Sequence, residues 1–354
     1  MNINDQNSEM QFSCPLPIAR YKNVTLAHGG GGKLMQQLIQ EMFVSQFQSN
    51  QLEQLHDGAV FSTAHGRLAF TTDSYVVNPI FFPGGSIGEL AVNGTVNDLA
   101  MCGAKPLYMS VGFIIEEGLS MDELWRIVQL MKSAAENAKV KIVTGDTKVV
   151  DRGKGDKIFI NTSAIGLVPE GVNIDPRRAK SGDDIILSGS IAEHGIAIMS
   201  VREGLKFDTP VESDCAALNN LVEIMLEIDQ DIHVMRDPTR GGVATVLNEI
   251  AQSAKVGILI DEKLIPVREE IKGACELLGL DPLYVANEGK LIAFSDNKQS
   301  KKIVEAMKNH RYGKDACIIG KVVDEHPGVV VLESSIQGKR IVDMISGEQL
   351  PRIC

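Results

Sequence analysis

The stretch Ile87-Gly-Glu-Leu-Ala-Val-Asn-Gly-Thr-Val-Asn-Asp-Leu-Ala100 decides the fold. Ile87, Leu90, Ala91, Val92, Val96, Leu99 and Ala100 recur at helical spacing, which predicts a buried helix over 87–101. Before it, Gly66 to Val77 is β-prone and reads as a strand carrying Thr72-Asp73-Ser74. After it, Ser120 and Glu123 form a capping-box pattern ahead of Leu124, Ile127, Val128 and Met131. Val140 to Thr144 then reads as a short strand, and Ile158 to Ile165 as another beyond a loop rich in Gly and Lys.

Pro169 to Gly182 holds two prolines, two glycines and several charges, the composition of a linker. Alternation resumes after it. Strands are expected at 184–187, 256–260 and 291–294, and helices at 216–228, 243–254, 269–278 and 301–308. Mixed strand and helix order in both halves predicts an α/β (α+β) chain of two domains, each a mixed sheet covered by helices. The expected boundaries are a flexible N-terminal extension at 1–23, a first domain at 24–168, a linker at 169–182, a second domain at 183–344 and a mobile tail at 345–354.

The chain of 354 residues carries a net charge of −11, which argues against a broad nucleic-acid surface. Its six cysteines are scattered without a CxxC pair, a pattern that suggests reduced thiols and a cytoplasmic setting. No apolar run approaches the length of a membrane span, and residues 1–11 lack the basic and apolar regions of a signal peptide. The sequence ends Leu350-Pro351-Arg352-Ile353-Cys354, which puts a thiol at the tip of an arm whose proline blocks a helix.

Several segments could carry chemistry. His28-Gly29-Gly30-Gly31-Gly32-Lys33 allows close backbone approach to a phosphate, or serves as a hinge ahead of a helix near Leu34. It is not a Walker A loop, because Leu34 stands where Ser or Thr is needed. Asp57, Asp73, Asp98 and Asp146 suit a magnesium–phosphate site, although each alone also suits a cap or turn. Asp98 stands inside an apolar helix, where Asp is a poor residue and a buried charge needs a partner. Arg236-Asp237-Pro238-Thr239-Arg240-Gly241-Gly242 precedes a helix and reads either as a phosphate and metal contact or as a capped turn. Glu288, in Asn287-Glu288-Gly289-Lys290, is a candidate general base or a solvated loop carboxylate, and His194 is similarly open.

In their order along the chain, these segments resemble the HypE family of hydrogenase maturation factors. The matching pieces are Ala27 to Gly32, Thr72 to Tyr75, Phe81 to Gly85, Asn97 to Ala100, Gly145 to Val149, Asp237 with Thr239 to Gly242, Asn287 to Lys290 and Pro351 to Cys354. The family belongs to a superfamily with aminoimidazole ribonucleotide synthetase, selenophosphate synthetase and thiamine-monophosphate kinase. The resemblance implies a two-domain, synthetase-like fold that dimerises through its N-terminal domains and binds ATP near the domain cleft. It implies Mg2+ on Asp57, Asp73, Asp98, Asp146 and Asp237, and nucleotide contacts from Gly29, Gly30, Gly31, Gly32, Lys33, Asp73, Thr147 and Arg240. It implies that the carbamoyltransferase HypF loads Cys354, that ATP-dependent dehydration follows with Lys148 and Glu288 as base candidates, and that cyanide passes to a HypC–HypD scaffold. The Gly loop lacks the cysteine expected of selenophosphate synthesis, and a small-molecule kinase would not need Cys354. A carrier without catalysis, or a C-terminal ligand for a peptide-binding domain, are the readings outside the enzyme class.

Overall fold

The computed structural model describes residues 23–47, 50–204 and 211–345. The expected N-terminal extension with Cys14, and the tail with Cys354, lie outside the described residues. A helical run opens the description as α1 (Lys33–Gln37), a π-helical stretch (Leu38–Val44) and α2 (Ser45–Phe47).

The first sheet holds β1 (Ala59–Thr63), β2 (Gly66–Tyr75), β5 (Lys105–Glu116), β6 (Lys141–Val150) and β7 (Ile158–Val168) in the order β1-β2-β7-β5-β6. A small hairpin, β3 (Phe81–Phe82) with β4 (Gly85–Ser86), lies between β2 and β5 in the chain. Side chains alternate across the sheet. On β2, Ala69 and Thr71 are buried while Phe70 and Thr72 are exposed. The inner face packs on α3 (Ile87–Met101), which also packs against α4 (Met121–Ala138). Each helix starts where a serine oxygen accepts a backbone N–H three residues on: Ser86 from Glu89 at 3.3 Å and Ser120 from Glu123 at 3.0 Å.

The second sheet holds β8 (Asp183–Leu187), β9 (Val234–Arg236), β10 (Gly257–Asp261), β11 (Ile292–Asp296), β12 (Cys317–Val323), β13 (Val330–Glu333) and β14 (Lys339–Val342). Its order is β14-β13-β10-β12-β8-β11-β9. The pairing is antiparallel except between β10 and β13. The helices of this half are α5 (Glu193–Arg202), α6 (Asn219–Ile228), α7 (Gly242–Ala254), α8 (Glu269–Leu278) and α9 (Ser300–Lys308). The two sheets fall on either side of residues 169–182. Among the described residues no helix is long and apolar enough to cross a membrane.

α3 joins the halves. One side lies on β2 and β7, and another meets α6 and β9. Its Leu90, Val96, Leu99 and Ala100 share one buried cluster with Leu221, Met225 and Met235 from the second half. This double burial explains why its sequence is apolar almost all round.

Four elements in particular differ from the sequence expectation. β6 does not stop at Thr144 but runs to Val150, so Asp146 lies within a strand rather than after one. Gly145 sits so close to Val111 O that a side-chain carbon would come within 2.4 Å of it, so the glycine keeps the ladder continuous. The helix expected from Ala216 starts at Asn219, because Asn97 holds the preceding loop. β5 and α5 carried no readable period; most of α5 is buried, which removes the amphipathic stripe.

Gly94 of α3 lets the Tyr75 hydroxyl pass beneath the helix, since an added methyl carbon would lie 2.2 Å from that oxygen. We expect Gly94→Ala to lower stability by about 1–3 kcal/mol. Gly273→Ala on α8, where nothing lies within 4 Å of the new carbon, should raise it by about 0.4–1 kcal/mol. Urea unfolding of both variants against the parent measures the contrast.

Candidate active site

Between the two sheets lies a cavity of about 890 Å³, reached by β2, α3, the Gly loop and the turn after β9. Its polar end is built from carboxylates that come from distant parts of the chain. Asp57 precedes β1, Asp98 projects from the last turns of α3, and Asp237 follows β9. One oxygen from each of the three lies within 4.8 Å of the others. Asp73 of β2 also lines the cavity and accepts a hydrogen bond from the Tyr75 hydroxyl at 2.9 Å.

Burial and mutual repulsion dominate this cluster. Asp98 is held well above the usual carboxylate range by burial, then by Asp73, Asp237 and Asp57, although Thr71 donates to it at 2.6 Å. Asp237 is pushed up to about 8 by burial first and Asp57 next. Asp73 is raised by burial. Arg236 answers part of the charge, with its Nε 2.6 Å from Asp57 Oδ1 and an Nη2 hydrogen bond of 2.8 Å to Glu249. Among the described residues Asp57 Oδ2 is buried without a hydrogen-bond partner, with His56 Nδ1 3.6 Å away. Such an oxygen within a group of converging carboxylates fits a hard divalent cation such as Mg2+.

Glu288 faces the same cavity from the loop before β11. Burial, then Asp237, Asp214 and Asp73, raise its proton affinity well above that of an ordinary glutamate, while Arg240 pulls the other way. Its carbonyl accepts the Asn97 side chain at 3.3 Å, and Asn97 also bonds Ala216 O at 3.0 Å and the Leu218 N–H at 2.8 Å. The helix that presents Asp98 thus also clips the loop that presents Glu288. Asn287 braces the turn carrying Asp237 through a bond of 2.9 Å to Pro238 O.

The Gly loop is shaped by its neighbours. Gly31 has a φ of +75°, and a side-chain carbon there would meet Arg240 O at 2.6 Å. Gly31 and Gly32 line the cavity, whereas Gly29, Gly30 and Lys33 are not among its lining residues. The Lys33 N–H donates to Ile345 O at 3.0 Å, and its ammonium lies 2.6 Å from Asp343. The last described residues before the tail are therefore anchored on the Gly loop. Arg240 lines the cavity.

Asp146, Thr147 and Lys148 do not join the cluster within one chain. They lie on β6, at the opposite edge of the sheet from β1 and three strand spacings from β2, roughly 14 Å. Pairing of Asp146 with Gly112 and Lys148 with Ile114 puts both on the sheet face opposite α3. His194 is buried on α5, where its Nδ1 is 2.8 Å from Ser213 Oγ and burial pulls it down to about 4. The sequence reading did not name Asp214 or Thr71, and it quoted Tyr75 only as the end of the Thr72–Tyr75 piece without a role; Thr71 adjoins that piece, while Asp214 had no signal.

Two family models match: "AIR synthase related protein, N-terminal domain" over residues 55–168 and its C-terminal counterpart over 180–333. The carbamoyl dehydratase HypE of Azotobacter vinelandii is 50% identical over 335 residues, covering 95% of this chain and 98% of that relative. The chain belongs to the HypE family of carbamoyl dehydratases. Among solved structures, HypE in a HypE–HypF complex matches with a TM-score of 0.83 at 49% identity, covering 87% of this chain and 99% of that one. HypE in complex with ATP matches with a TM-score of 0.79 at 48% identity, covering 94% and 100%.

The carboxylate cluster predicts a pH signature. Asp98 and Asp237 bind protons more tightly folded than unfolded, so their contribution to stability is fully present below the unfolded carboxylate range. It is lost as pH rises towards about 8. Thermal midpoints of metal-free protein should therefore fall on going from about pH 5 to about pH 8. Magnesium, which must displace those protons, should raise the midpoint more near pH 8 than near pH 6. Equal magnesium shifts at both pH values would contradict cation binding at this cluster.

Proposed function

We propose that this chain dehydrates a carbamoyl group carried on its own Cys354, using ATP, and so makes the cyanide ligand for the iron of a nickel–iron hydrogenase. The observation that carries this reading is the convergence of Asp57, Asp98, Asp237 and Glu288 in one cavity. The root of the tail is tied to the Gly loop beside it. From Ile345, the nine residues to Cys354 can span at most roughly 30 Å, enough to cross a cavity of this size.

The chemistry follows from the leaving group. The carbamoyl oxygen attacks the terminal phosphoryl group of ATP and ADP leaves; loss of one N–H proton from the resulting iminium gives an imidoyl phosphate whose carbon is bonded to sulfur. The second N–H proton is then lost, the C–O bond breaks, and inorganic phosphate departs to leave the protein thiocyanate. Mg2+ held by Asp57, Asp98 and Asp237 would supply positive charge against phosphate oxygens. Arg240 adds charge at the same wall, and Gly31 and Gly32 allow close backbone approach. Glu288, with its raised proton affinity, is the group suited to take the N–H proton.

Lys148 enters through a second copy. The sheet face opposite α3 exposes Phe70, Tyr108, Ile114 and Leu167, an apolar surface of the kind that marks an interface. β1 pairs with β2 only as far as Phe70, so among the described residues no strand covers that edge of β2 beyond it, and the cavity reaches outward-facing Thr72 and Ser74. A homodimer through this face would bring Asp146 and Lys148 of one copy towards the other's cavity, with Lys148 an electrostatic partner to the departing phosphate. A HypF carbamoyltransferase is the proposed donor and a HypC–HypD scaffold the acceptor. The scattered cysteines support a cytoplasmic setting.

Intact mass spectrometry tests the reaction. After loading by the carbamoyltransferase, the carbamoyl adduct on Cys354 should lose one water when Mg2+ and ATP are added. An adduct that never loses water would leave a carrier alone. Mixed dimers test the shared site: Asp98→Asn and Lys148→Ala should each be inactive, and dimers reassembled from the two should regain activity, because one of their two sites carries neither change. No recovery would place the whole site in one chain.

A further inference from the structure

We infer that Asp214 is a positioning residue that fixes Glu288 for proton abstraction; the inference rests on the reading of Glu288 as the base. Glu288 sits in a loop, outside any helix or strand, so nothing in regular structure sets its direction. The Asp214 side chain, only 1% exposed, does so instead. Its Oδ1 accepts the Glu288 N–H at 3.1 Å and its Oδ2 accepts the Gly289 N–H at 3.2 Å. On the other side of the same residue, Glu288 O accepts the Ala216 N–H at 3.4 Å and Asn97 at 3.3 Å. The peptide groups flanking Glu288 are thereby held on both sides, which leaves mainly its side-chain rotamers free.

Two further features show a fitted pair. Gly289 lies so close that a side-chain carbon would come within 1.8 Å of Asp214 O, so the loops meet backbone to backbone. Lys290 Nζ lies 3.5 Å from Asp214 Oδ2 and donates to Glu193 at 3.0 Å, which gives the buried Asp214 side chain a cationic partner. Asp214 faces Glu288 together with Asp237 and Asp73, with Arg240 opposing. Asp214 therefore sets both the place and the electrostatic surroundings of the base without lining the cavity itself. A loop carboxylate asked to act within a fraction of an ångström needs such support.

The test follows water loss from the carbamoylated protein in a single turnover. Asp214→Asn keeps one acceptor but turns an amide towards Gly289 and Lys290, and should slow water loss by roughly 10- to 100-fold. Carbamoyl loading and ATP affinity should stay within about twofold of the parent. Asp183→Asn, which weakens the buried Asp183–His233 contact of 2.8 Å between two residues that do not line the cavity, should lower the thermal midpoint without slowing water loss. The deciding comparison is a double-mutant cycle. If Asp214 acts through Glu288, then Asp214→Asn should add little to the defect of Glu288→Gln. Additive defects, or parent-like water loss in Asp214→Asn while Glu288→Gln is slow, would overturn the inference. Parent-like water loss in Glu288→Gln would instead overturn the base assignment on which it rests. Should Asp214→Asn not fold, Asp214→Ser, a shorter acceptor, carries the same comparisons.

Discussion

The rest of this structure depends on one helix buried on both sides. α3 must satisfy the first sheet and the second domain at once, so its residues are apolar in nearly every direction. Because the helix cannot shift without disturbing two layers, the polar residues it carries are held rigidly. Asp98 faces the carboxylate cluster, while Asn97, one residue earlier, grips the loops of Ala216, Leu218 and Glu288. A polar pair inside an apolar helix is costly unless both members are satisfied. Here Asn97 is satisfied by its bonds to those loops, and Asp98 accepts a hydrogen bond from Thr71 at 2.6 Å.

That arrangement sets the electrostatics of the cavity. Asp57, Asp73, Asp98, Asp237 and Glu288 crowd a space in which Arg236 and Arg240 are the nearby cations named in their shifts. Burial raises the proton affinity of Asp98, Asp237 and Asp73, so a divalent cation bound there would compete with protons. The second domain supplies Asp237 and Glu288, and the first supplies Asp57, Asp73 and Asp98, so the site exists only when the domains pack as they do.

Much of this was legible in the sequence. The helical period over 87–101 and the misfit of Asp98 within it named both the shared helix and a cavity carboxylate. The capping box at Ser120 and Glu123 marked the start of α4. What the sequence could not show was pairing at a distance. β6 reads as a short strand because Gly145 and Asp146 look like a turn, and only the ladder with β5 reveals them in mid-strand. Asp214 has no motif of its own, since its role depends on two backbone N–H groups more than 70 residues away. α5 is buried nearly all round, which erases the amphipathic stripe that would have announced it. The Gly loop was read as a phosphate cradle, yet its Lys33 N–H holds Ile345, a contact no local pattern encodes.

The central claim is that ATP removes the carbamoyl oxygen as phosphate. The most direct measurement uses a carbamoyl group carrying a heavy-oxygen label, loaded on Cys354 and taken through one turnover with Mg2+ and ATP. The account predicts that the label appears in the inorganic phosphate released. Label found in water, with unlabelled phosphate, would contradict it.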